Sequence, residues 1–345
     1  MALFLVTGGC GFIGSNLVHA LVGRGDRVRI LDNLRTGRET NIAALRAQNP
    51  SQVELWRGDI LDSALLDRVL VGVDYILHLA AMPSVPWSIE NPLACDQINA
   101  QGTLQVLEAA RRQGQIRRVV QAVSCAAYGD LAPELPKRET DPVMPLSPYS
   151  ASKLSSEQYG QVYSRVYGVP VVALRYFNVF GPRQDPTSQY AAVLPNFINA
   201  ALDQRAPTIF GDGLQSRDFV FIENVVNANL LACMAPAERV AGQVINIGTG
   251  QTTTLLQVLQ ILSQLTGREI QPLHAPGRSG EVRHSCADIS LARQVLGYSP
   301  QVDFAEGLRR TLAYYQQIRR EAGLDPATSS AAVLAAAQAQ AKGSR

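Results

Sequence analysis

The sequence predicts an α/β protein, with a doubly wound parallel sheet and a smaller C-terminal α/β domain. Short runs rich in Val, Ile and Leu alternate with longer amphipathic stretches, and a glycine-rich turn links the first run to the first stretch. Such nearly continuous apolar strands are typical of a parallel sheet covered by helices on both faces. The 345 residues, 46% of them hydrophobic, suffice for one large domain or two closely joined ones.

The first half of the chain contains six strand-like runs, with helix-like segments between and beside them. The runs are short and lack a helical period, which predicts strands. They are LFLVT, RVRILD, VELWRGD, YILHLA, RVVQAVS and VVALRYF, and helices are predicted over 13–22, 61–70, 94–112 and 149–166.

The second half of the chain is less regular. After Asn178, Gly, Pro and Asp become frequent, which predicts loops over a cleft. VINIGTG predicts one more strand, LLQVLQILSQLTG predicts a helix that ends at Gly267, and 289–320 predicts helix with an interruption near GYSPQVDF. From about residue 322 the chain is Ala-rich and free of aromatic residues, which is typical of a solvated tail.

Composition and charge argue against several classes of function. The formal net charge is +2 and no basic block is present, so we expect neither nucleic-acid nor membrane-surface binding. The N-terminal MALFLVTGGCGFIG is typical of a buried strand rather than a signal peptide, and no apolar run approaches the ~20 residues of a membrane helix. Five cysteines without CxxC spacing and four scattered histidines predict no disulfide framework and no metal site, and favour a cytoplasmic protein.

The glycine turn TGGCGFIG predicts a dinucleotide site. Gly8, Gly11 and Gly14 would let a diphosphate approach the backbone at the start of a helix. Eighteen residues after Gly14, the second strand ends in Asp32, whose carboxylate can accept both ribose hydroxyls and repels a 2′-phosphate. We therefore predict NAD rather than NADP, although Arg35 and Arg38 lie close by; they are either solvated loop charges or ligands for a 2′-phosphate.

Two further positions carry candidate roles. Asp59 has the spacing either to meet the adenine amino group or to cap the next helix. In SPYSASK, Ser147 can cap a helix on which Tyr149 and Lys153 share one face. YxxxK alone is more often a surface Tyr packed on a Lys stem. After a dinucleotide turn, however, it predicts a catalytic phenol whose pKa is lowered by the ammonium and by an oxidised nicotinamide.

In chain order, the sequence carries TGGCGFIG, Asp32, HLAA, Asn99, Ser124, YGD, Tyr149 with Lys153, LRYFNVFGP and SRDFVFIENV. Together these motifs resemble those of the extended short-chain dehydrogenases/reductases. The closest resemblance is to NAD-dependent UDP-sugar 4-epimerases, especially the UDP-N-acetylglucosamine 4-epimerases of bacterial polysaccharide pathways, and it covers roughly residues 2 to 320.

The resemblance implies a Rossmann-type NAD-binding domain, a UDP-sugar-binding domain and a homodimer formed through the helices at 94–112 and 149–166. The implied domains are 1–177 with 218–248 for NAD, 178–217 with 249–320 for the UDP-sugar, and a low-complexity tail over 321–345. The implied NAD contacts are Gly8, Gly11, Phe12, Ile13, Asp32, Asn33, Asp59, Ile60, Leu79, Ala80, Ala81, Asn99, Lys153 and Tyr176. The implied substrate contacts are Ser84, Ser124, Tyr149, Asn178, Val193, Arg217, Arg278, Glu281 and Ser285.

The resemblance also implies a type of reaction. Ser124, Tyr149 and Lys153 match the catalytic triad of the family. The two positions after Ser124 carry acid–base groups in sugar dehydratases, and in decarboxylases a Glu stands two before the Tyr of YG; here they are Cys125 and Ala126. Neither residue can protonate a leaving group, which favours reversible oxidation at C4, the requirement of an epimerase. This chain departs from its relatives just before Ser124, where Ala122 and Val123 replace the more usual serines.

Two positions bear on the choice of sugar. Ser285 matches a gate at which a bulky Tyr goes with glucose and galactose, so a small residue favours N-acetylhexosamines, with plain hexoses as additional substrates. Asp185 stands where similar UDP-glucuronate 4-epimerases have an Arg, and it would repel a uronate carboxylate. The alternatives are a UDP-glucuronate 4-epimerase or another NAD-dependent nucleotide-sugar enzyme, and a non-catalytic NAD-binding regulator.

Overall fold

The computed structural model describes residues 1–130, 135–185, 193–277 and 282–324. The strands in these ranges are β1 (Leu3–Thr7), β2 (Arg27–Asp32), β3 (Val53–Arg57), β4 (Tyr75–His78), β5 (Arg118–Ser124), β6 (Val171–Tyr176), β7 (Asn178–Phe180), β8 (Thr208–Phe210), β9 (Ser216–Arg217), β10 (Phe219–Phe221), β11 (Val244–Ile247), β12 (Thr253–Thr254), β13 (Leu273–Ala275) and β14 (His284–Ser285). The helices are α1 (Phe12–Gly23), α2 (Thr40–Gln48), α3 (Ser63–Val69), α4 (Val85–Glu90), α5 (Pro92–Asp96), α6 (Gly102–Gln113), α7 (Pro148–Tyr167), α8 (Val193–Leu202), α9 (Ile222–Met234), α10 (Ala237–Val240), α11 (Leu255–Thr266), α12 (Ser290–Leu296) and α13 (Phe304–Glu321).

Seven parallel strands form the central sheet, in the order β11-β6-β5-β4-β1-β2-β3. From β1 the chain first winds outward through β2 and β3, and then returns to β4 on the other side. The direction of winding therefore reverses between β1 and β4. In such sheets, ligands bind in the crevice at the carboxyl ends of the strands where this reversal occurs.

Both faces of the sheet are covered, as the apolar strands predict. Phe4 and Val6 pack into one buried cluster together with residues of α1 and α9. Leu5, which points to the opposite face, belongs to a second cluster with residues of α3 and α6. The doubly wound α/β fold is thus confirmed.

The second half forms smaller sheets beside the central one. Strands β7 and β10 pair in parallel, as do β8 and β13, and β9 lies between β12 and β14. Strand β11 rejoins the central sheet beside β6, whereas β12 to β14 do not. The boundaries 1–177 with 218–248 and 178–217 with 249–320 stay a prediction, and they assign the paired strands β7 and β10 to different domains.

Several boundaries differ from the sequence prediction for local reasons. The helix predicted over 94–112 is broken into α5, a π-helical turn at Gln97–Gln101, and α6. Within that turn the Asn99 carbonyl accepts hydrogen bonds from the hydroxyls of Thr103 (2.6 Å) and Ser156 (2.9 Å). The tail from residue 325 lies outside the described residues.

A buried ion pair fixes α7 against the sheet. The Glu157 carboxylate accepts two hydrogen bonds from Arg175, at 2.7 and 2.6 Å, and both side chains are buried. The same guanidinium lies 4.6 Å from the ring centre of Tyr128, whose hydroxyl donates to Asn246 at 2.8 Å. The helix that carries Tyr149 and Lys153 is thereby tied to β6 and to the segment that follows β5.

No helix within the described ranges is long and apolar enough to cross a membrane.

Candidate active site

The glycine turn lies in the crevice predicted by the sheet topology. Gly8 follows β1 with a φ of 68°, and a Cβ there would come within 2.9 Å of the Ala80 nitrogen. A Cβ at Gly14 would overlap the Gly8 carbonyl oxygen. Gly11 precedes α1 and no side chain caps this helix, so its N-terminus is open to an anion. Only glycines allow this close packing, and the turn has the form of a diphosphate cradle.

Asp32 is buried at the end of β2 beside this turn. Its carboxylate accepts hydrogen bonds from the backbone nitrogens of Cys10 (2.9 Å) and Leu34 (2.8 Å). Burial raises the pKa of Asp32, and these two hydrogen bonds oppose the shift. A Cβ at Gly37 would lie 2.9 Å from both carboxylate oxygens, so the loop after β2 folds closely over them.

The structure excludes one of the two roles considered for Asp59, helix capping, and the adenine contact stays a prediction. The helix α3 is capped by Asp62, which accepts from the Leu65 nitrogen at 2.9 Å. Asp59 instead accepts from the Leu61 nitrogen at 3.0 Å and from the Asn33 side chain at 2.7 Å. It lies on the wall of the same cavity as Asp32, which is the position expected of an adenine ligand.

The cavity has a volume of about 1140 Å³ and runs along the carboxyl ends of the strands. Most of the predicted cofactor residues form its wall, together with two predicted substrate residues. The predicted residues on the wall are Gly8, Gly11, Phe12, Ile13, Asp32, Asn33, Asp59, Ile60, Leu79, Ala80, Ala81, Ser84, Tyr149, Lys153 and Tyr176. These residues fit NAD, since they combine a cradle for the diphosphate with a carboxylate for the ribose.

Asn99 is the predicted cofactor residue that does not reach the wall. It is buried behind the loop that follows β4, where its amide accepts from the Met82 nitrogen (2.8 Å) and donates to the Ser152 hydroxyl (3.0 Å). We therefore assign Asn99 a positioning role: it connects the cavity wall to α7.

Tyr149 and Lys153 emerge from the first two turns of α7. Ser147 caps this helix in a reciprocal hydrogen-bonded box with Ser150, and Pro148 occupies its first position. The Lys153 ammonium donates to the Ala122 carbonyl at 2.6 Å. Burial lowers the pKa of Lys153 to about 8. Burial also raises the pKa of Tyr149 to about 12, and hydrogen bonding with Ser124 opposes this shift.

These contacts differ in one respect from the expectation for Lys153. Its ammonium is directed to the Ala122 carbonyl near the end of β5, while burial dominates the raised pKa of Tyr149. Ser124, the third predicted catalytic residue, hydrogen-bonds Tyr149, but the phenol alone is a weak acid. Forming the phenolate at neutral pH therefore requires additional positive charge beside it.

The predicted sugar residues Arg217 and Ser285 are neighbours on β9 and β14, where they pair in register. The side chain of Ser285 also hydrogen-bonds the thiol of Cys125, the residue after Ser124. Burial raises the pKa of Cys125 to about 12, so this thiol stays neutral and is a poor nucleophile. The smaller sheets thus bring Ser285, the predicted gate residue, to the end of β5.

The remaining predicted substrate residues lie at three different places. Asn178 begins β7, and its backbone nitrogen donates to the Asp218 carbonyl at 3.0 Å. Val193 begins α8 and packs against the main apolar cluster. Arg278 and Glu281 fall outside the described residues.

Sequence reasoning did not find Asp218. This carboxylate is fully buried and accepts four hydrogen bonds, three of them from backbone nitrogens and one from a hydroxyl. The donors are the Thr249 nitrogen (2.8 Å) and hydroxyl (2.7 Å), the Gly250 nitrogen (3.0 Å) and the Ala287 nitrogen (3.1 Å). The residue lies within SRDF, but its partners are too distant in sequence to be read from that motif.

His78 is a second residue whose role appears only in the structure. Its ring lies between the hydroxyls of Thr7 (2.7 Å) and Thr103 (3.0 Å). Burial lowers the pKa of His78 to about 3, so the imidazole is neutral. Thr7 in turn accepts from the backbone nitrogens of Leu79 and Ala80, both at 3.2 Å, which holds the cavity wall in place.

Asp185 does not stand as an isolated charge. Its carboxylate accepts a hydrogen bond of 2.7 Å from Arg38, and both residues lie on the cavity wall. The argument that Asp185 would repel a uronate is weakened, because Arg38 compensates its charge. The other nearby cation, Arg35, lies over the Trp87 ring at 5.1 Å.

Within the described residues, no group of three or more His, Cys, Asp or Glu side chains could hold a metal ion.

Comparison with known proteins shows which family has this arrangement. The model of the NAD dependent epimerase/dehydratase family matches residues 4–248. A putative UDP-glucose 4-epimerase of Methanocaldococcus jannaschii is 38% identical over 319 residues, which cover 92% of this chain and all of the relative.

Two solved structures are similar over almost the whole of both chains. A UDP-N-acetylglucosamine 4-epimerase from Methanobrevibacter ruminantium, in complex with UDP-N-acetylmuramic acid, has a TM-score of 0.85 and 38% identity and covers 92% of this chain and 98% of its own. A UDP-glucuronic acid 4-epimerase from Bacillus cereus, in complex with UDP-glucuronic acid and NAD, has a TM-score of 0.83 and 31% identity and covers 92% and 99%. The similar proteins thus differ in the sugar that they carry.

The depressed pKa of Lys153 gives a prediction about stability. Burial disfavours the ammonium in the folded state, so Lys153→Met should raise the free energy of unfolding of the cofactor-free protein at pH 7 by ~1–3 kcal/mol. The free-energy cost of burying the ammonium disappears as the pH rises from about 8, the pKa of Lys153 in the folded protein, to 10.5, the ordinary pKa of a lysine. The advantage of the variant should therefore shrink toward pH 10.

Denaturant unfolding at pH 7 and pH 10 measures this effect. Arg27→Met, which removes an exposed cation, is the control and should change stability by less than about 0.5 kcal/mol. A Lys153→Met variant less stable than the parent at pH 7 would show that the hydrogen bond to Ala122 outweighs the cost of burying the charge.

Proposed function

Because the chain belongs to the NAD dependent epimerase/dehydratase family, we propose that it is an isomerase that inverts C4 of a UDP-hexose. The proposed substrates are UDP-N-acetylglucosamine and UDP-N-acetylgalactosamine, with UDP-glucose and UDP-galactose as further ones. One observation carries the proposal: Tyr149 and Lys153 lie on the wall of the cofactor cavity, Ser124 hydrogen-bonds Tyr149, and the two residues that follow Ser124 bring no additional acid–base group.

The proposed chemistry uses a single proton-transfer group. NAD⁺, when bound, supplies the acceptor for the C4 hydride and the donor for its return to the opposite face. The Tyr149 phenol takes the proton of the C4 hydroxyl and later gives it back. Ser124 would hold the C4 oxygen by a hydrogen bond, and Lys153 would hold the ribose of bound NAD, where its positive charge would favour the phenolate. Between the two half-reactions the 4-keto sugar turns over, anchored by its UDP.

The end of β5 argues for this reaction within the family. A dehydratase or a decarboxylase needs an additional acid or base near the sugar. Here Cys125 is a neutral thiol, because burial raises its pKa to about 12, and Ala126 carries no functional group. The site therefore supports oxidation and reduction at C4 alone.

The choice of sugar rests on Ser285. Its small side chain lies next to Arg217 across the paired strands and close to Cys125, and a residue of this size would leave room for a 2-acetamido group. UDP-glucuronate is the alternative substrate, because Asp185 is paired with Arg38 and does not present an uncompensated charge. A non-catalytic regulator is disfavoured, since the Tyr, the Lys and the Ser are all present.

Proton NMR of UDP-N-acetylglucosamine with the purified protein and no added NAD tests the proposal. We expect UDP-N-acetylgalactosamine to grow to a stable mixture, because the cofactor is regenerated in each cycle. Tyr149→Phe should slow the reaction by a factor of about 10²–10⁴ while NAD stays bound, since it removes the proton acceptor only.

The other outcomes of this experiment are distinct. Conversion of UDP-glucuronate alone would establish the alternative substrate. Protein that holds NAD but converts none of these sugars would support the regulator. Near-full activity of Tyr149→Phe would contradict the catalytic assignment.

The gate proposal has its own test. Ser285→Tyr should exclude the acetamido group by filling its space, and so lower kcat/KM for UDP-N-acetylglucosamine by about 10–100-fold, a size typical of a steric pocket contact. Turnover of UDP-galactose should change much less. Ser285→Ala is the matched control, because it keeps the space and removes only the hydroxyl. Equal losses for both sugars in Ser285→Tyr would refute the gate.

We further propose a homodimer formed through α6 and α7. Tyr159, Val162 and Val166 form an exposed apolar stripe along α7, and Leu93 of α5, a helix that packs against α7, is almost fully exposed. The two helices already pack together, since the Tyr163 hydroxyl donates to Glu108 at 3.0 Å. A continuous stripe on one helix is typical of a contact between subunits.

Sedimentation velocity tests this prediction, because it measures the oligomeric state. Val162→Asp should convert the dimer to monomer, because it places a charge within the apolar stripe that the two subunits would bury between them. Val71→Asp, at an equally exposed position after α3, should leave the dimer unchanged. A parent protein that sediments as a monomer at micromolar concentration would contradict the proposal.

A further inference from the structure

One ion pair joins two distant parts of the cofactor cavity. Arg38 lies in the loop after β2, and Asp185 lies in the segment after β7, 147 positions further along the chain. The guanidinium donates to the carboxylate at 2.7 Å, and about half of the Arg38 side chain is exposed. Both residues form part of the cavity wall.

The backbone of Arg38 lies beside the Asp32 carboxylate, which faces the proposed ribose position. The preceding residue, Gly37, packs so tightly on Asp32 that an added Cβ would lie 2.9 Å from both oxygens. The Arg38 nitrogen donates to the Cys10 carbonyl at 3.0 Å, and the Cys10 nitrogen donates to Asp32 at 2.9 Å. The backbone therefore fixes Arg38 at the edge of the proposed ribose site, and its side chain reaches from there to Asp185.

A 2′-phosphate on that ribose would need a cation at this edge. Arginine binds phosphate oxygens well through its forked donors. The loop offers two arginines, but Arg35 lies over the Trp87 ring and Arg38 is held by Asp185. Both cations thus have other partners within the protein.

We propose that Asp185 is a specificity residue for the cofactor: by engaging Arg38, it withholds the cation that a 2′-phosphate would need. Asp32 repels that phosphate directly, whereas Asp185 acts through Arg38. Two carboxylates from distant segments then favour NAD over NADP. The inference rests on the proposed placement of the adenosine ribose at Asp32.

The experiment measures which dinucleotide the full-length protein holds. Protein is equilibrated with equal concentrations of NAD⁺ and NADP⁺, freed of unbound nucleotide and denatured, and the released dinucleotides are quantified. Asp185→Asn should raise the ratio of bound NADP to bound NAD by roughly fivefold or more, the size of one charge-assisted contact at a half-exposed site. This gain should shrink at high salt, because the new contact is between exposed charges.

The double variant Arg38→Gln/Asp185→Asn provides the decisive comparison. It should return the ratio to the parent value, because the gain depends on Arg38. Asp212→Asn is the matched control: Asp212 pairs with Arg283 at 2.6 Å and is similarly exposed, but it is not part of the cavity wall. It should leave the ratio unchanged.

Two results would overturn the inference. If Asp185→Asn lowered the retention of both dinucleotides equally, the ion pair would only hold the two segments together and would not affect the choice of cofactor. If the gain persisted in the double variant, it would not arise through Arg38. Asp32→Asn tests the underlying placement separately: it should raise the same ratio, and no change there would show that the ribose lies elsewhere.

Discussion

The buried carboxylate of Asp218 is the constraint on which the substrate side of the site depends. It sits between the two proposed domains and collects four hydrogen bonds from Thr249, Gly250 and Ala287. Its own backbone donates to the Ser285 carbonyl and accepts from Asn178. A buried carboxylate without these donors would be strongly destabilising, so the segments must come together around it. Arg217 and Ser285 take their places because their neighbour is fixed in this way.

At the proposed catalytic pair, by contrast, burial lowers stability instead of raising it. Tyr149 and Lys153 are both placed where burial opposes the charged form, which raises one pKa and lowers the other. Each group is thereby brought into an environment in which a nearby charge has a large effect on its protonation. Burial of these two groups lowers stability, but it makes the pKa of the Tyr149 phenol sensitive to the charge of a bound ligand.

Sequence reasoning predicted the parts of the fold and the site that depend on local pattern. The parallel sheet follows from continuous apolar strands, the diphosphate cradle from glycine spacing, and the shared face of Tyr149 and Lys153 from the helical repeat. Features that depend on distant partners were not accessible. Nothing near Asp185 in sequence indicates Arg38, and nothing near Asn99 indicates that its amide is used by Met82 and Ser152. The short strands β7 to β10 and β12 to β14 were missed for the same reason, since two or three residues carry no period of their own.

The Glu157–Arg175 pair has a consequence for how this sequence can diverge. Losing one partner leaves the other charge buried, which costs about 3–5 kcal/mol, against about 5–15 kcal/mol for the whole stability of a typical domain. A lineage that replaces either residue alone must therefore pass through a poorly folded intermediate. Replacing both by apolar residues of similar size is often neutral. The two positions are thus expected to mutate as a unit, and Tyr128, which packs on the guanidinium, should tolerate change only when they do.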